Sequence, residues 1–133
     1  MRRLPPGKAA VTGKEIQTMI KRKDDMKTTV KVHMREGDGQ VLVTDLLNKG
    51  EFKGASRLLA TLTLEPGCSI GAHEHVDEEE VFYVVQGEAS YYDNGEWVTL
   101  YPGDSCVCLG GQTHSIANRS DKTLVVVAVI LTY

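Results

Sequence analysis

The sequence predicts an all-β domain that follows a short basic N-terminal extension. From about residue 30 onward, apolar residues occur in short alternating runs that are separated by turn residues, and helical periodicity does not return. The connections between these runs are too short for crossover helices, which favours a sandwich or a closed barrel. A chain of 133 residues is long enough to bury one core and too short for two packed domains. We therefore place the extension at residues 1–29 and the domain at residues 30–133.

The extension carries one helical signal. Thr12-Gly13-Lys14-Glu15 has the form of a capping box, and Ile16, Met19 and Ile20 follow it at helical spacing. These residues predict a short helix near 13–23. The extension is thus expected to be partly helical or disordered.

The body is predicted to contain a series of short strands. A hairpin at Asn94-Gly95 is the strongest local signal, because a two-residue type I′ loop needs positive φ at both central positions. Other turns are expected at Pro66-Gly67, Gly87, Pro102-Gly103 and Gly110-Gly111. The predicted strands cover residues 41–43, 57–64, 72–76, 80–86, 88–93, 96–101, 105–109, 113–118 and 123–132.

The charge pattern and the apolar runs exclude several functional classes. Residues 1–31 hold nine basic and three acidic side chains, and residues 32–133 hold six basic and fifteen acidic ones, so the body is acidic and no nucleic-acid partner is expected. The longest apolar run, residues 124–131, has eight residues, against roughly 20 for a membrane-spanning helix. No secretory signal follows Arg2 and Arg3. We therefore expect a cytoplasmic protein without a membrane partner.

Four side chains form a candidate metal site. His73 and His75 are separated by one residue, so that on a strand both imidazoles project from one face. Glu80 begins the next apolar strand and His114 lies late in the chain behind two glycines. Three imidazoles and one carboxylate suit one divalent transition metal, namely Mn, Fe, Co, Ni or Zn, with positions left for water or a small-molecule ligand.

The spacing around these residues resembles two motifs of the cupin superfamily. The first motif reads Gly67, five residues, His73, one residue, His75, four residues, Glu80, six residues, Gly87. The second reads Gly103, five residues, Leu109, one residue, Gly111, two residues, His114, three residues, Asn118, and the family usually has proline where Leu109 stands. Upstream segments at residues 19–22, 32–37 and 54–58 are similar to those of small single-domain bacterial cupins, and residues 1–18 lie outside this resemblance.

The resemblance implies a cupin jelly-roll β-barrel in which His73, His75, Glu80 and His114 are the metal ligands. It also implies a homodimer, with residues 30–47 placed to pack against the neighbouring chain. Leu109 lacks the rigid φ of proline, so we expect a slightly looser loop before His114. The metal site should survive this departure.

Strand parity separates the ligand carboxylate from its neighbours. Glu79 fits a looser version of the first motif, but Glu80 gives the six-residue interval to Gly87 and continues the inward alternation with Phe82. Glu80 is therefore preferred, and Glu78 and Glu79 are interpreted as exposed surface acids. The same parity places Phe82 and Ile116 on the inward face, either as core residues or as the wall of a ligand pocket. Cys68, Cys106 and Cys108 are expected to be reduced, with Cys106 and Cys108 buried as small apolar residues rather than as ligands.

Two functions are compatible with this site, besides a barrel in which four protein ligands close a purely structural zinc site. The first is a metalloenzyme that acts on a small molecule, in the manner of the dioxygenases, decarboxylases and isomerases of the superfamily. The alternative is a non-catalytic module that binds a small molecule. The sequence aims no basic residue of the body at the pocket, Arg35 and Arg57 included, which disfavours a strongly anionic substrate such as oxalate or a sugar phosphate. No catalytic residue beyond the ligands is identified.

Overall fold

The computed structural model describes residues 19–133 as ten strands in two antiparallel sheets. The strands are β1 (Thr28–Val32), β2 (Gln40–Asp45), β3 (Ser56–Leu64), β4 (Ser69–Glu74), β5 (Glu78–Gln86), β6 (Ala89–Asp93), β7 (Glu96–Leu100), β8 (Ser105–Cys108), β9 (Thr113–Ala117) and β10 (Leu124–Thr132). Two single 3-10 turns, Lys23–Asp25 and Met34–Glu36, complete the secondary structure of this part of the chain.

The sheet order is that of a jelly roll. One sheet has the order β1-β2-β3-β10-β5-β8 and the other the order β4-β9-β6-β7, so consecutive strands after β3 alternate between sheets except at the β6–β7 hairpin. The β6–β7 hairpin turns at Asn94 (φ 49°) and Gly95 (φ 121°), as the type I′ signal predicted. The all-β prediction and the choice of a jelly-roll barrel are confirmed.

The core lies between the inner faces of the two sheets and follows the two-residue period of the strands. On β5, Glu80, Phe82 and Val84 are buried, while Tyr83 and Val85 are 46% and 47% exposed. This is the parity that the sequence predicted for the strand. Its consequence is that β5 delivers a carboxylate, Glu80, into an otherwise apolar interior.

The predicted helix near 13–23 is wrong over the residues that can be compared. Its first part, residues 13–18, lies outside the described residues. Residues 19–22 are not helical, and Arg22 has extended backbone angles (φ −78°, ψ 155°). The side chain of Lys21 donates hydrogen bonds to Asn48 Oδ1 (2.7 Å) and Glu51 Oε1 (2.8 Å), which ties the segment to the barrel instead of to a helix of its own.

Two strand boundaries near the candidate site differ from the prediction. The strand expected at 72–76 runs from Ser69 to Glu74, so His75 lies just beyond its end. The strand expected to begin at residue 80 begins at Glu78, because β5 pairs with β10 from Glu78 opposite Thr132. Glu78 therefore belongs to the same strand face as Glu80, two residues away.

The expected homodimer and the domain boundary at residue 29 stay predictions. β1 is an edge strand of the six-stranded sheet, and its Val30 and Val32 are 51% and 62% exposed. Across residues 19–133, the structure has no helix with the length and apolar character that crossing a bilayer requires.

Candidate metal centre

The four predicted ligands come together in the interior of the barrel. The Nε2 atoms of His75 and His114 are 3.0 Å apart, and those of His114 and His73 are 3.2 Å apart. Glu80 Oε1 lies 3.1 Å from His75 Nε2 and 3.3 Å from His114 Nε2. One donor atom from each residue thus lies within 4.8 Å of all the others. His75, Glu80 and His114 are buried, and His73 is half-buried.

Sheet pairing explains why residues distant in sequence meet here. β4 and β9 are neighbours with His73 directly opposite His114, so these two imidazoles lie on one face of the four-stranded sheet. β5 belongs to the other sheet and contributes Glu80 from across the interior. The backbone of His75 is fixed to the loop before β9, since it donates to Gln112 O (3.2 Å) and accepts from Gly111 N (2.7 Å).

The partners of the outer ring nitrogens direct the Nε2 lone pairs inward. His73 Nδ1 lies 2.8 Å from the carbonyl oxygen of Gly71, and His75 Nδ1 lies 2.6 Å from a carboxylate oxygen of Glu78. Both partners are acceptors, so Nδ1 carries the proton in each ring and Nε2 is left with its lone pair. A proton on one ring satisfies only one pair of the converging atoms, whereas a bound cation satisfies all four. This donor set therefore fits a divalent metal.

Burial and hydrogen bonding shift the pKa values of these groups. Burial lowers the pKa of His73, and the positive charge of Arg35 lowers it further. The hydrogen bond with Glu80 raises the pKa of His75 against the opposing effect of burial. Burial alone would raise the pKa of Glu80, but the hydrogen bonds with His114 and His75 outweigh it and lower that pKa. Glu80 is accordingly an anion among imidazoles, as a ligand carboxylate must be.

A family comparison agrees with this fold. The model of the cupin domain family matches residues 60–130, which span the four candidate ligands and most of the barrel. The chain belongs to the cupin family.

A curated relative and a crystal structure, both from Thermotoga maritima, and the structure of a Streptomyces enzyme illustrate what this cupin resembles. An oxalate-binding protein is 36% identical over 118 residues, which cover 89% of the chain and 98% of the relative. The crystal structure of a predicted oxalate decarboxylase aligns with a TM-score of 0.82 at 36% identity, over 86% of the chain and 100% of that protein. The polyketide cyclase RemF of Streptomyces resistomycificus aligns with a TM-score of 0.69 at 16% identity, over 88% of the chain and 80% of the cyclase, and shows the fold alone.

Glu78 has a role in this cupin that the sequence interpretation missed. One of its carboxylate oxygens accepts the Nδ1 proton of His75, and Arg57 binds the carboxylate with two hydrogen bonds, Nε to Oε1 (2.6 Å) and Nη2 to Oε2 (2.8 Å). Its side chain is only 13% exposed. Arg57 holds the pKa of Glu78 at about 2, well below its usual range, so the carboxylate is ionised at neutral pH. The interpretation of Glu78 as an exposed surface acid is wrong, because β5 begins two residues earlier than predicted.

We expect Glu78→Gln to weaken metal binding by about 10- to 100-fold, the usual effect of removing a carboxylate that orients a ligand histidine. The amide keeps the size of the side chain but loses the charge that fixes the Nδ1 proton on His75. Titration of the metal-free protein with Mn²⁺ measures the change. Glu79→Gln, which alters the neighbouring residue outside the cluster, is the matched control, and equal affinities for the two variants would refute the role of Glu78.

The inward-facing apolar residues pack around His114. Phe82 is stacked on the His114 ring, with centroids 5.2 Å apart and an interplanar angle of 10°. Tyr91 places its hydroxyl 2.9 Å from His114 Nδ1, and burial raises the pKa of this phenol far enough to keep it protonated. Ile116 is buried opposite Tyr91 on the neighbouring strand. Phe82 and Ile116 therefore lie in the core, and Tyr91 is a contact of the candidate ligand His114 that the sequence did not indicate.

A small cavity opens beside the donor cluster. It measures ≈ 180 Å³, and His73, His75 and Glu80 form part of its wall. Its remaining lining combines apolar side chains with three basic ones: Met34, Val43, Leu58, Leu62, Ile70, Ile130, Lys31, Arg35 and Arg57. The expectation that no basic residue of the body points at the pocket is therefore wrong for Arg35 and Arg57. The reason for which the sequence disfavoured an anionic ligand therefore does not hold in the structure.

Leu109 is accommodated by a bond that the usual proline would forbid. Its N–H donates to Gln112 Oε1 (2.9 Å), and its carbonyl oxygen accepts from Gln112 N (3.0 Å). Proline has no N–H to make the first of these bonds. The side chain and backbone of Gln112 thus hold the loop before His114 in place of a rigid proline ring.

The cysteines stand apart from the donor cluster. All three are free thiols, as predicted, and none belongs to the group of converging donor atoms in the described part of the chain. Cys108 is buried, and burial raises its pKa to about 11, so the thiol stays protonated. Cys106 is partly buried against the core. Their interpretation as small apolar residues agrees with these positions.

Proposed function

We propose that this cupin binds one divalent transition metal through His73, His75, Glu80 and His114, and that the metal and the adjoining cavity together bind a small dicarboxylate of the oxalate class. One observation carries the proposal: three of the four residues whose donor atoms converge also line a cavity that has three basic side chains in its wall. A metal held there would supply a Lewis-acidic centre for carboxylate oxygens.

The size of the cavity limits the ligand. At ≈ 180 Å³ it is smaller than the roughly 300–1,000 Å³ of sites for drug-sized molecules, so a compact ligand is favoured. Its apolar wall offers no hydrogen bonds to the hydroxyl groups of a sugar. The polar side chains of its lining are confined to three residues of the donor cluster and to three basic residues.

The charges in and around the cavity favour a dianion. Glu80 contributes one negative charge, and the pair between Glu78 and Arg57 is neutral as a unit. A divalent metal together with Lys31 and Arg35 leaves a clear excess of positive charge facing the cavity. Oxalate, which the relative in Thermotoga maritima is named for binding, is the smallest dicarboxylate that fits these conditions.

The alternative is turnover of the same ligand, which the similarity to a predicted oxalate decarboxylase supports. Decarboxylation requires a proton donor for the carbon that loses CO₂. Glu80 is the only acidic residue that lines the described cavity. It is an anion that is hydrogen-bonded to His75 and His114, so it carries no proton to donate. Glu78 is held ionised by Arg57. Binding without turnover is therefore the function that we propose.

The proposal is tested by calorimetric titration of oxalate into metal-free and Mn²⁺-loaded protein. We expect oxalate to form a 1:1 complex with the Mn²⁺-loaded form. Oxalate should bind the metal-free form at least about 10-fold more weakly, because the contact with the metal is missing. Acetate should bind the Mn²⁺-loaded form at least about 10-fold more weakly than oxalate does, because it lacks the second carboxylate. Absence of oxalate binding to protein with full Mn²⁺ occupancy would refute the function. Elemental analysis of protein purified without added metal identifies the resident ion.

The same samples decide between binding and catalysis. The Mn²⁺-loaded protein is incubated with oxalate in air and under nitrogen, and formate and CO₂ are measured against a metal-free control. We expect the oxalate to be recovered unchanged. Steady release of formate and CO₂ in proportion to enzyme would replace the binding function with the catalytic alternative.

A further inference from the structure

The segment around Arg35 forms an unusual turn over the cavity, which we call the Arg35 turn (residues 33–37). His33, Arg35 and Glu36 all have positive φ, at 51°, 53° and 65°. Left-handed backbone is disfavoured for residues with a Cβ, and three such residues within four positions need support from the surrounding structure. An arrangement of this kind indicates a position that the fold enforces.

Two glycines provide part of that support. The backbone of Gly37 packs so closely on Ser69 that an added Cβ would overlap the Ser69 carbonyl oxygen, and a Cβ at Gly71 would overlap the carbonyl oxygen of Arg35. Hydrogen bonds between Asp38 and Ser69, 2.8 and 2.9 Å long, close the contact. The turn is therefore fixed to β4, the strand that carries His73.

The contact continues to the donor cluster. The carbonyl oxygen of Gly71, which lies under the Arg35 turn, accepts the Nδ1 proton of His73 at 2.8 Å. Met34 and Arg35 both line the cavity, and the charge of Arg35 acts on the His73 ring. One rigid unit thus positions a ligand histidine and a guanidinium group at the same opening.

We propose that Arg35 is the specificity-determining residue of the anion site, and that the strained Arg35 turn positions it to bind the carboxylate of the ligand that is remote from the donor cluster. This inference rests on the proposed function. Arginine suits the task because its planar group binds a carboxylate with two parallel hydrogen bonds.

The other two basic residues of the cavity are less suited to this role. Arg57 already donates two hydrogen bonds to Glu78, which holds its guanidinium in a bidentate pair. Lys31 lies on β1 and carries a flexible ammonium group with no preferred planar contact. Within residues 19–133, neither Lys31 nor Arg35 forms an ion pair, but only Arg35 is fixed by a constrained backbone.

The test compares Mn²⁺ affinity and oxalate affinity in the same variants. We expect Arg35→Ala to keep wild-type Mn²⁺ affinity and to lose oxalate affinity by about 10- to 100-fold, the effect of removing a charged hydrogen-bond pair. The oxalate affinity of Arg35→Lys should lie between those of the wild type and Arg35→Ala, because lysine keeps the charge without the bidentate geometry. Arg119→Ala is the control, since that guanidinium lies over Trp97 outside this cavity.

A second pair of variants tests the positioning by the turn. Gly37→Ala introduces the overlap with Ser69 and should weaken oxalate binding by a larger factor than it weakens Mn²⁺ binding. Gly54→Ala adds the same methyl group where no atom lies within 4 Å, and should bind as the wild type does. Circular dichroism verifies that each protein is folded. If Gly37→Ala does not fold, Arg35→Ala still tests the role of the guanidinium group.

The outcomes separate this inference from the proposed function. Wild-type oxalate affinity in folded, Mn²⁺-loaded Arg35→Ala would overturn the role of Arg35 while the proposed function stands. Unchanged affinity in folded Gly37→Ala would overturn the role of the turn. Failure of the Mn²⁺-loaded wild type to bind oxalate refutes the proposed function itself, and the inference falls with it.

Discussion

We expect His75→Ala to lose metal binding, with an affinity for Mn²⁺ more than about 100-fold below that of the wild type, since changes to the partners of a ligand alone cost 10- to 100-fold. The variant removes the donor atom that lies 3.0 Å from His114 Nε2 and 3.1 Å from Glu80 Oε1. It also leaves Glu78 without the imidazole proton that it accepts. The variant keeps only three of the four converging donor residues, and the missing one is in contact with two of the others.

The measurement is metal content per chain after dialysis, with the change in Tm on adding Mn²⁺ as a second readout. A ligand that binds only the folded state raises Tm, and the variant should show no such rise. Glu79→Gln is the control because it alters a carboxylate beside the cluster without touching a donor atom. Full metal occupancy in folded His75→Ala would contradict the assignment of the ligands.

Because His75 is only 2% exposed, its loss affects packing as well as binding. His73→Ala provides an independent test, since His73 is half-buried and its removal leaves a smaller void. Both variants should lose the metal while keeping the circular dichroism of a β-barrel. Retention of the metal by both would show that the histidines are structural.

The second large effect is on stability: Phe82→Ala should lower the free energy of unfolding of the metal-free protein by about 3–5 kcal/mol. Phe82 is 2% exposed, stacks on His114 and contacts Tyr91 edge-on with centroids 6.0 Å apart. Truncation leaves a cavity between the two sheets and removes the surface that supports a ligand ring. Urea denaturation measures the change.

Tyr83→Ala is the control for this variant. It removes the adjacent aromatic ring from the opposite face of β5, where 46% of the residue is exposed, so a loss below about 1 kcal/mol is expected. The loss of unfolding free energy in Phe82→Leu should lie between those of Phe82→Ala and Tyr83→Ala, because leucine fills most of the volume of the removed ring. A loss of less than about 1 kcal/mol in Phe82→Ala would contradict the placement of this ring in the core.

Local patterns made much of the barrel and the candidate site predictable. Alternation along β5 placed Glu80 and Phe82 inward and Tyr83 outward, because a strand has a period of two whatever it pairs with. The Asn94-Gly95 turn was predictable for a similar reason, since positive φ depends on the residue itself. The spacing of His73, His75, Glu80 and His114 pointed to four residues that the structure brings within 4.8 Å of one another.

The sequence analysis did not predict the role of Glu78, although the strand alternation contained an indication of it. Glu78 and Glu80 share one strand face by the same parity that identified Glu80. What the sequence did not contain was the start of β5, which is set by pairing with Thr132 at the far end of the chain. Arg57, the other partner of Glu78, is 21 residues away and meets it only across the folded sheet.

The sequence by itself determined the fold class, the inward face of β5 and the four candidate ligands, because these follow from short-range periodicity and from the spacing of the two cupin motifs. Only the tertiary structure decided the electrostatics of the cavity. Arg35 and Arg57 reach its wall through long-range packing, one by the close approach of two glycine backbones and the other by an ion pair with Glu78. Such contacts depend on which distant segments meet, and the period of a strand carries no information about that.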